Sequence, residues 1–292
     1  MISVLIASYN ISVVNLIEEL QLQLNKANVI FEIICLDDAS NSEKNIENNK
    51  INKLPFCSFE ILKNNIGRSA IRNLLATKAS YDWLLFLDAD VLPTSPKFIS
   101  NYIKEIENNH YSVFLGGIKY RDFDDKNLLR WRFGKRSEEV SVSIRNQDSY
   151  KYFFTANFLI EKDFFNGIKF NEEIVDYGYE DLLFSKEIEK NKVKIKHIEN
   201  EVFHLGIDEN IDFIKKTKKA ISNLNFLISK KLIEKQDTNL SQLYFKLKPY
   251  GVLSVLSVFS SFFENVANKS SSVTFYNLFR ITYLHQVIKN SQ

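Results

Sequence analysis

The chain has 292 residues, of which 45% are hydrophobic and 25% charged, and this ordinary composition excludes a disordered or fibrous protein. Its 38 basic and 36 acidic residues leave a net charge of +2, so no basic excess indicates a nucleic-acid partner. The two cysteines, Cys35 and Cys57, cannot form a disulfide framework, which favours the reducing cytoplasm. The N-terminus lacks the basic start of a signal peptide, and no apolar run reaches the roughly 18 residues typical of a spanning helix.

Short apolar segments alternate with helical patterns through the first part of the chain. The apolar segments predict strands over residues 2–7, 31–36, 59–62, 83–87 and 112–115. Apolar residues at helical spacing predict helices over residues 13–26, 69–78 and 96–108. Strands that are apolar throughout are buried on both faces, as in parallel sheets. The alternation therefore predicts an open, doubly wound α/β sheet.

The remainder of the chain is less regular. Residues 119–152 are charged and lack periodicity, which indicates a long excursion over the surface. Strands are predicted over residues 152–160, 193–196 and 202–203, and a helix over residues 178–190. Beyond residue 208 only helices are predicted: one helix or a helix pair over residues 211–235, and single helices over residues 240–263 and 273–287. We therefore expect an α/β domain over residues 1–207 and a helical region over residues 208–292.

Polar clusters follow three of the predicted strands, at residues 8–10, 37–40 and 88–90. Ligands of open α/β sheets bind beyond the carboxyl ends of the strands, so these clusters indicate a binding site. Asp88 and Asp90 are two positions apart on an extended segment and point the same way. Two such carboxylates suit a hard cation such as Mg²⁺ or Mn²⁺. A solvated turn rich in aspartate is the alternative.

Short motifs succeed one another along the first 206 residues. They are Ser8-Tyr9-Asn10, Asp37-Asp38-Ala39-Ser40, Asn65-Ile66-Gly67-Arg68 with Arg72-Asn73, Leu87-Asp88-Ala89-Asp90, Thr155-Ala156-Asn157-Phe158, Gly178-Tyr179-Glu180-Asp181 and His204-Leu205-Gly206. Their order and spacing resemble the family 2 glycosyltransferases of the GT-A fold. The resemblance implies an α/β fold with a Rossmann-like mixed sheet flanked by helices. The C-terminal helical extension, expected from the helical pattern beyond residue 208, has no counterpart in these motifs.

The resemblance implies a nucleotide-sugar donor, most often UDP-linked in this fold. Asp38, with Asp37 nearby, would accept the N3–H of uracil, because an ionised carboxylate is an acceptor only. Ala7, Ser8 and Tyr9 would contact the base and ribose. A helix N-cap role for Asp38 is the alternative.

Two arginines would contact the same donor. Arg68 and Arg72 are four residues apart and therefore lie on one helix face. The resemblance implies that one or both contact the base or the diphosphate. An ordinary salt-bridged helix face is the alternative.

The metal assignment also comes from the resemblance. Asp90 and His204 would ligate Mn²⁺ or Mg²⁺, and Asp88 would contact the ribose or the metal through water, with Ala89 lining the donor site. A structural histidine is the alternative for His204. His197 is interpreted as structural.

Catalysis would fall to the Glu-Asp pair. Asp181 would be the general base and Glu180 would position the acceptor, since adjacent carboxylates raise each other's pKa. One base implies a single in-line displacement that inverts the anomeric carbon. Stabilisation of a helix start, at about 0.3–1 kcal/mol, is the alternative role for both acids.

The acceptor and the tail leave alternatives open. The resemblance implies a glycan or glycolipid acceptor. Aromatic residues and a basic excess in residues 237–292 suit an interfacial helix on anionic lipid at the inner face of the membrane, whereas packing on the first domain or a homodimer interface is equally compatible. A nucleotidyltransferase and a non-catalytic glycan-binding or nucleotide-binding protein remain the competing functions.

Overall fold

The computed structural model describes residues 1–108, 110–122, 127–174 and 177–291. These residues form two compact units. The first takes in the described residues of 1–121, 139–174 and 180–206, and the second takes in those of 122–138, 177–179 and 207–291. The sequence pattern places one boundary after residue 207, so residues 122, 127–138 and 177–179 are additions to the helical unit that the pattern does not reveal.

The strands all belong to the first unit. In chain order they are β1 (Ile2–Ser8), β2 (Phe31–Asp37), β3 (Cys57–Ile61), β4 (Trp83–Asp88), β5 (Val91–Pro93), β6 (Val113–Leu115), β7 (Ile118–Lys119), β8 (Asn157–Glu161), β9 (Ile195–His197) and β10 (Val202–His204). They build a seven-stranded sheet in the order β3-β2-β1-β4-β8-β6-β9 and a three-stranded sheet in the order β5-β10-β7.

The helices are distributed over both units. In chain order they are α1 (Val14–Lys26), α2 (Lys44–Asn48), α3 (Arg68–Lys78), α4 (Phe98–Asn108), α5 (Leu129–Ser137), α6 (Val142–Arg145), α7 (Lys162–Ile168), α8 (Glu180–Lys190), α9 (Asn210–Ser229), α10 (Asn239–Leu247), α11 (Val252–Leu256), α12 (Ser260–Ser270) and α13 (Val273–Asn290). Helix α5 and helices α9 to α13 belong to the second unit. Helices α5 and α6 lie within the stretch that the sequence assigned to a surface excursion. They were not predicted, because both are too short to show a clear apolar period.

The large sheet is mixed, as the family resemblance implied and contrary to the wholly parallel sheet that strand composition favoured. Strands β1, β2, β3 and β4 are parallel neighbours. Strand β8 runs antiparallel to both β4 and β6. Its first four residues are buried, and an apolar run reports burial on both faces and not strand direction.

The small sheet joins two segments that are far apart in sequence. Strand β10 pairs antiparallel with β5, which sets His204 opposite Val91, and parallel with β7. The Leu205 N–H donates to the Asp90 carbonyl at 2.7 Å, one step beyond the ladder. The pairing therefore holds the segment after β10 against the turn that follows β4. Strands β5 and β7 have three and two residues, too few for the sequence pattern to predict them.

The core of the first unit is rich in phenylalanine. Phe86 stacks on Phe158 with ring centroids 4.7 Å apart, and Phe170 stacks on Phe184 at 4.1 Å. Such aromatic pairs add about 0.5–1.5 kcal/mol to the burial of their surface. The Arg72 guanidinium lies over the Phe170 ring, 5.5 Å from its centroid. The aromatic core thus packs against the Arg72 side chain of α3.

A buried arginine fixes the end of β6. Arg145 is almost wholly buried and donates to the carbonyls of Leu115, Gly116 and Ile198 and to His197 Nδ1. Burial and the Arg145 charge lower the pKa of His197 to about 4. His197 is therefore neutral and structural, as the sequence predicted.

The second unit is helical, and its predicted helix over residues 240–263 is wrong. Helix α10 is followed by a 3₁₀ turn over Lys248–Tyr250, and Gly251 adopts φ +71° before α11 begins. Pro249 and a left-handed glycine are typical of a helix stop. Among the described residues, no single helix is long and apolar enough to cross a membrane; Asn239–Tyr250 and Val252–Ser270, bent by 104°, meet the length and composition test only as a pair.

Candidate active site

The loop after β2 is held by Asp37. This side chain is fully buried and accepts hydrogen bonds from the Ser40 backbone N–H and hydroxyl, both at 2.8 Å, and from the Asn45 amide at 3.2 Å. The Ser8 hydroxyl at the end of β1 also contacts it, at 3.4 Å. Asp37 therefore shapes the loop between the carboxyl ends of β1 and β2, which is where the sequence placed the donor.

Asp38 joins this loop to the start of α3. Its Oδ1 accepts the Ile66 N–H at 2.7 Å and its Oδ2 accepts the Gly67 N–H at 3.0 Å. It does not cap α2, which begins at Lys44. Each carboxylate oxygen has two lone-pair sites, so Asp38 retains acceptor capacity for a ligand N–H.

Three non-glycine residues in the loops after β1 and β2 have left-handed backbone conformations. Asn10, Ala39 and Asn41 have φ of 57°, 57° and 47°, the left-handed region that costs an ordinary residue such as alanine about 1–2 kcal/mol. Strained loop residues cluster at functional sites. The ring of Tyr9 is 55% exposed beside Asn10, open to a ligand, while Ser8 is buried and Ala7 half-buried.

Arg72 and Asp88 form an ion pair at the end of β4. Arg72 is 5% exposed, and its Nη2 donates to Asp88 Oδ1 at 2.8 Å and to Thr155 Oγ1 at 3.2 Å. Among the described residues, its buried Nη1 has no hydrogen-bond partner. A buried donor without a partner is costly, so Arg72 offers an unused N–H group at this site.

The charge of Asp88 is stabilised by its neighbours. Burial alone would raise the pKa of Asp88, but the Arg72 and Arg68 charges, the Arg72 hydrogen bond and His204 outweigh it, and the pKa lies below its usual value. Asp88 is therefore ionised at neutral pH.

Asp90 and His204 lie together. His204 Nε2 is 3.7 Å from Asp90 Oδ2, and the imidazole stacks on the Tyr120 ring with centroids 5.6 Å apart. Its Nδ1 is buried and lacks a hydrogen-bond partner among the described residues. Ala89 and Asp90 form the turn between β4 and β5. The segments that the sequence separates by more than a hundred residues thus meet at one point.

A two-ligand cation site fits this pair. A carboxylate oxygen and an imidazole nitrogen, here 3.7 Å apart, are donor types that Mn²⁺ accepts, so Asp90 and His204 would be the residues that hold such an ion. Within residues 1–108, 110–122, 127–174 and 177–291, no group of three or more His, Cys, Asp or Glu side chains is arranged to hold a metal ion. Asp88, which the resemblance places against the ribose or a metal-bound water, pairs with Arg72 through its Oδ1. Further ligands of an ion held by Asp90 and His204 would come from the donor and from water.

The close approach of Gly206 to Asp90 gives a test of this pair. A methyl group at Gly206 would overlap Asp90 Oδ2 and lie 2.9 Å from its Cγ, so Gly206→Ala must displace the carboxylate. We expect the Mn²⁺ concentration for half-maximal activity to rise about tenfold or more, the range found when a metal ligand loses its support. Gly167→Ala is the matched control, because a methyl group there meets no atom within 4 Å. An unchanged Mn²⁺ requirement in Gly206→Ala would remove Asp90 from the cation site.

The Glu-Asp pair opens α8. Glu180 Oε1 accepts a hydrogen bond from Arg68 at 3.3 Å, and Asp181 Oδ1 accepts the Leu182 N–H at 2.8 Å. Burial, followed by the charge of Glu180, raises the pKa of Asp181 to about 7, against the smaller opposing effects of the Leu182 N–H hydrogen bond and the Arg72 charge. A carboxylate with a pKa near neutrality is suited to general-base catalysis.

The sequence placed most of these residues but missed two of their partners. Arg68 and Arg72 do lie on one helix, yet they serve different acids, Glu180 and Asp88. Thr155 as a partner of Arg72 and Tyr120 as the platform of His204 were not predicted. Tyr120 follows the two-residue strand β7, and nothing in its sequence context marks the pairing with β10.

Comparisons with known proteins agree with this architecture. The sequence profile described as glycosyl transferase family 2 matches residues 3–168, more than half of the chain, so the chain belongs to that family and is a glycosyltransferase. No curated protein sequence matches.

Two solved structures illustrate the shared fold. The structure of Staphylococcus aureus TarS residues 1–349 in complex with UDP-GlcNAc is 20% identical, with a TM-score of 0.51, and the match covers 99% of this chain and 91% of that one. The mannosyltransferase PcManGT of Pyrobaculum calidifontis, in complex with GDP-Man and Mn²⁺, is 13% identical, with a TM-score of 0.59 and coverage of 99% and 86%. These likenesses establish the GT-A fold.

Proposed function

We propose that this glycosyltransferase is metal-dependent and inverting, and that it transfers a sugar from a UDP-sugar to a hydroxyl group of a glycan or glycolipid. The observation that carries the proposal is the meeting of Asp90 and His204, 3.7 Å apart, in the unit that also holds Asp181 with a pKa of about 7. The Asp90–His204 pair would hold the cation that stabilises the leaving phosphate, and Asp181 would take the proton of the attacking hydroxyl.

The donor would bind across the carboxyl ends of β1, β2 and β4. Asp38 would accept the uracil N3–H while it keeps the Ile66 and Gly67 N–H groups. Tyr9 would lie against the base or ribose, and Asp88, ionised by its neighbours, would accept a ribose hydroxyl. The unpartnered Nη1 of Arg72 would donate to a donor oxygen.

Asp90 and His204 would hold Mn²⁺ or Mg²⁺. When bound, such a cation neutralises the negative charge that develops on the departing diphosphate, a contribution of several kcal/mol. The His204 ring is kept in place by its stacking on Tyr120, and Gly206 leaves room for the Asp90 carboxylate. Mn²⁺ and a nucleotide sugar both occur in the PcManGT structure, which supports this assignment without deciding the ion.

Asp181 would accept the proton of the acceptor hydroxyl as that oxygen attacks the anomeric carbon. Its pKa of about 7 leaves a substantial ionised fraction at neutral pH together with a stronger base than an ordinary aspartate. Glu180, held by Arg68, would position the acceptor. A single base suits one in-line displacement, which converts an α-linked donor into a β-glycoside.

The proposal is tested by a panel of UDP-sugars and GDP-sugars. We expect Mn²⁺-dependent release of the nucleoside diphosphate from at least one UDP-sugar, and slower release from the GDP-sugars, because both oxygens of Asp38 already accept a backbone N–H and the single N3–H of uracil asks less of the remaining acceptor capacity than the two adjacent N–H groups of guanine. Lys78→Met, on the far end of α3 in an exposed pair with Glu60, should react like the wild type. Exclusive use of GDP-sugars, or the same release rate in a chelator, would refute the donor or the metal assignment respectively.

A further inference from the structure

The second unit exposes a concentration of large apolar side chains around the bend at Gly251. We define this set as the apolar corner: Tyr250, Val252, Val255, Val258, Phe259 and Phe262. Tyr250 and Val258 are each 79% exposed, and Val255, Phe259 and Phe262 are 66%, 52% and 56% exposed. Single exposed apolar residues are ordinary, but a contiguous group marks an interaction surface.

The corner carries no charge of its own. Residues 249–263 contain neither a basic nor an acidic side chain, although this stretch lies on the protein surface. The nearest acid in sequence, Glu264, is paired with Lys218 at 2.6 Å. No charged side chain in the corner therefore opposes the transfer of its apolar groups from water into a lipid environment.

Lysines flank the corner. Lys246 and Lys248 are exposed and immediately precede it. The charges of both Lys248 and Lys289 act on His285, whose Nε2 lies 3.4 Å from the Ser254 hydroxyl of α11, so Lys289 of α13 lies on the same side. An uncharged apolar centre is thus bordered by a positive rim.

We propose that the apolar corner inserts into the interfacial region of a lipid bilayer that contains anionic lipid. Apolar and aromatic side chains beside a lysine cluster are what such a surface takes up, through burial of the apolar groups and attraction of the rim to lipid phosphates. A second copy of the chain fits less well, because a two-fold contact would bring the same lysines of both copies together. The proposal concerns attachment and does not depend on the donor, the metal or the base.

The test is flotation of the purified full chain with vesicles of phosphatidylcholine alone or mixed with phosphatidylglycerol. We expect binding to the mixed vesicles only. The double variant Val258→Glu with Phe262→Glu should lose at least about tenfold in binding, since two inserted apolar groups are replaced by charges. Lys246→Gln and Lys248→Gln should each lose about fivefold, the contribution of one lysine near an anionic surface.

Matched controls are available on the first unit. Ile46 and Phe56 are 75% and 68% exposed, and Ile46→Glu with Phe56→Glu should bind vesicles as the wild type does. Circular dichroism and the thermal unfolding midpoint verify that each variant is folded. Absence of wild-type binding to anionic vesicles, or equal loss in the control, would overturn the proposal. A solution dimer that Val258→Glu with Phe262→Glu dissociates, without vesicle binding, would assign the corner to a second copy instead.

Discussion

Asp181→Asn is expected to lower kcat about 1,000-fold, within the range of about 10²–10⁴ for a positioned general base, while the affinity for UDP stays within about twofold. The substitution keeps the shape of the side chain and its acceptor oxygen for the Leu182 N–H, but removes the site that takes the proton. Steady-state kinetics and a UDP titration on the same preparation separate the two quantities.

The assignment of Asp181 as the base also predicts how kcat of the wild-type enzyme depends on pH. With the pKa of Asp181 raised to about 7, the ionised fraction grows about tenfold per pH unit below that value and levels off above it. We therefore expect kcat at saturating Mn²⁺ to rise with pH through about 7, and the residual activity of Asp181→Asn to lack that step.

Stability measurements distinguish loss of the base from misfolding in Asp181→Asn. Since the folded-state pKa of Asp181 lies above the unfolded value of about 3.9, the folded state binds more protons between the two values. Ionisation of Asp181 therefore costs stability as the pH rises through about 7. Asp181→Asn should melt no lower than the wild type at alkaline pH. Retained turnover in this variant would transfer the base role to another group.

Arg72→Met is expected to reduce the free energy of unfolding by about 2–3 kcal/mol at neutral pH. It leaves the Asp88 carboxylate without its guanidinium partner, a change that costs about 3–5 kcal/mol for a fully buried pair. The lower figure applies because Asp88 is 28% exposed to water. Urea unfolding at constant ionic strength measures the difference.

The effect of Arg72→Met should depend on pH with a definite sign. Arg72 helps to hold the pKa of Asp88 below its usual value, so the pair stabilises the fold above the unfolded pKa of about 3.9 and loses that contribution as the pH falls through the folded pKa. The deficit of the variant should therefore be largest at neutral pH and shrink in acid.

The control for this prediction lies on the same helix. Lys78 forms an exposed pair with Glu60 at 2.7 Å, and Lys78→Met should cost at most about 0.5 kcal/mol. An equal deficit in both variants would show that Arg72 acts through helix propensity and not through Asp88.

The loops of the site could be predicted from the sequence, because the end of each apolar run marks the end of a strand. The apolar runs before Ser8, Asp37 and Asp88 place these residues at the carboxyl edge of one sheet, and the structure has them there. The antiparallel direction of β8 was invisible from composition, because residues buried on both faces look alike in either direction.

Contacts between short segments that are far apart in the chain could not be predicted from the hydrophobic pattern. The pairing of β5 with β10, which brings Asp90 to His204, rests on strands of three residues, and only the family resemblance anticipated it. Thr155 stands in one of the sequence motifs, but its contact with Arg72 was not predicted, and Tyr120 beneath His204 had no signal, since both contacts depend on side-chain packing after the sheets have formed. The roles assigned to the donor-site and metal-site residues stay predictions until they are tested.

Calorimetric titration of UDP in the presence of Mn²⁺ or of a chelator tests the shared cation site most directly. We expect UDP to bind at least about tenfold tighter with Mn²⁺, equivalent to about 1.4 kcal/mol, and Asp90→Asn and His204→Asn to abolish that difference while keeping the metal-free affinity. His110→Asn, an exposed histidine outside the site, should retain it. Equal UDP affinity with and without Mn²⁺, or full enhancement in both site variants, would contradict a cation held between Asp90 and His204.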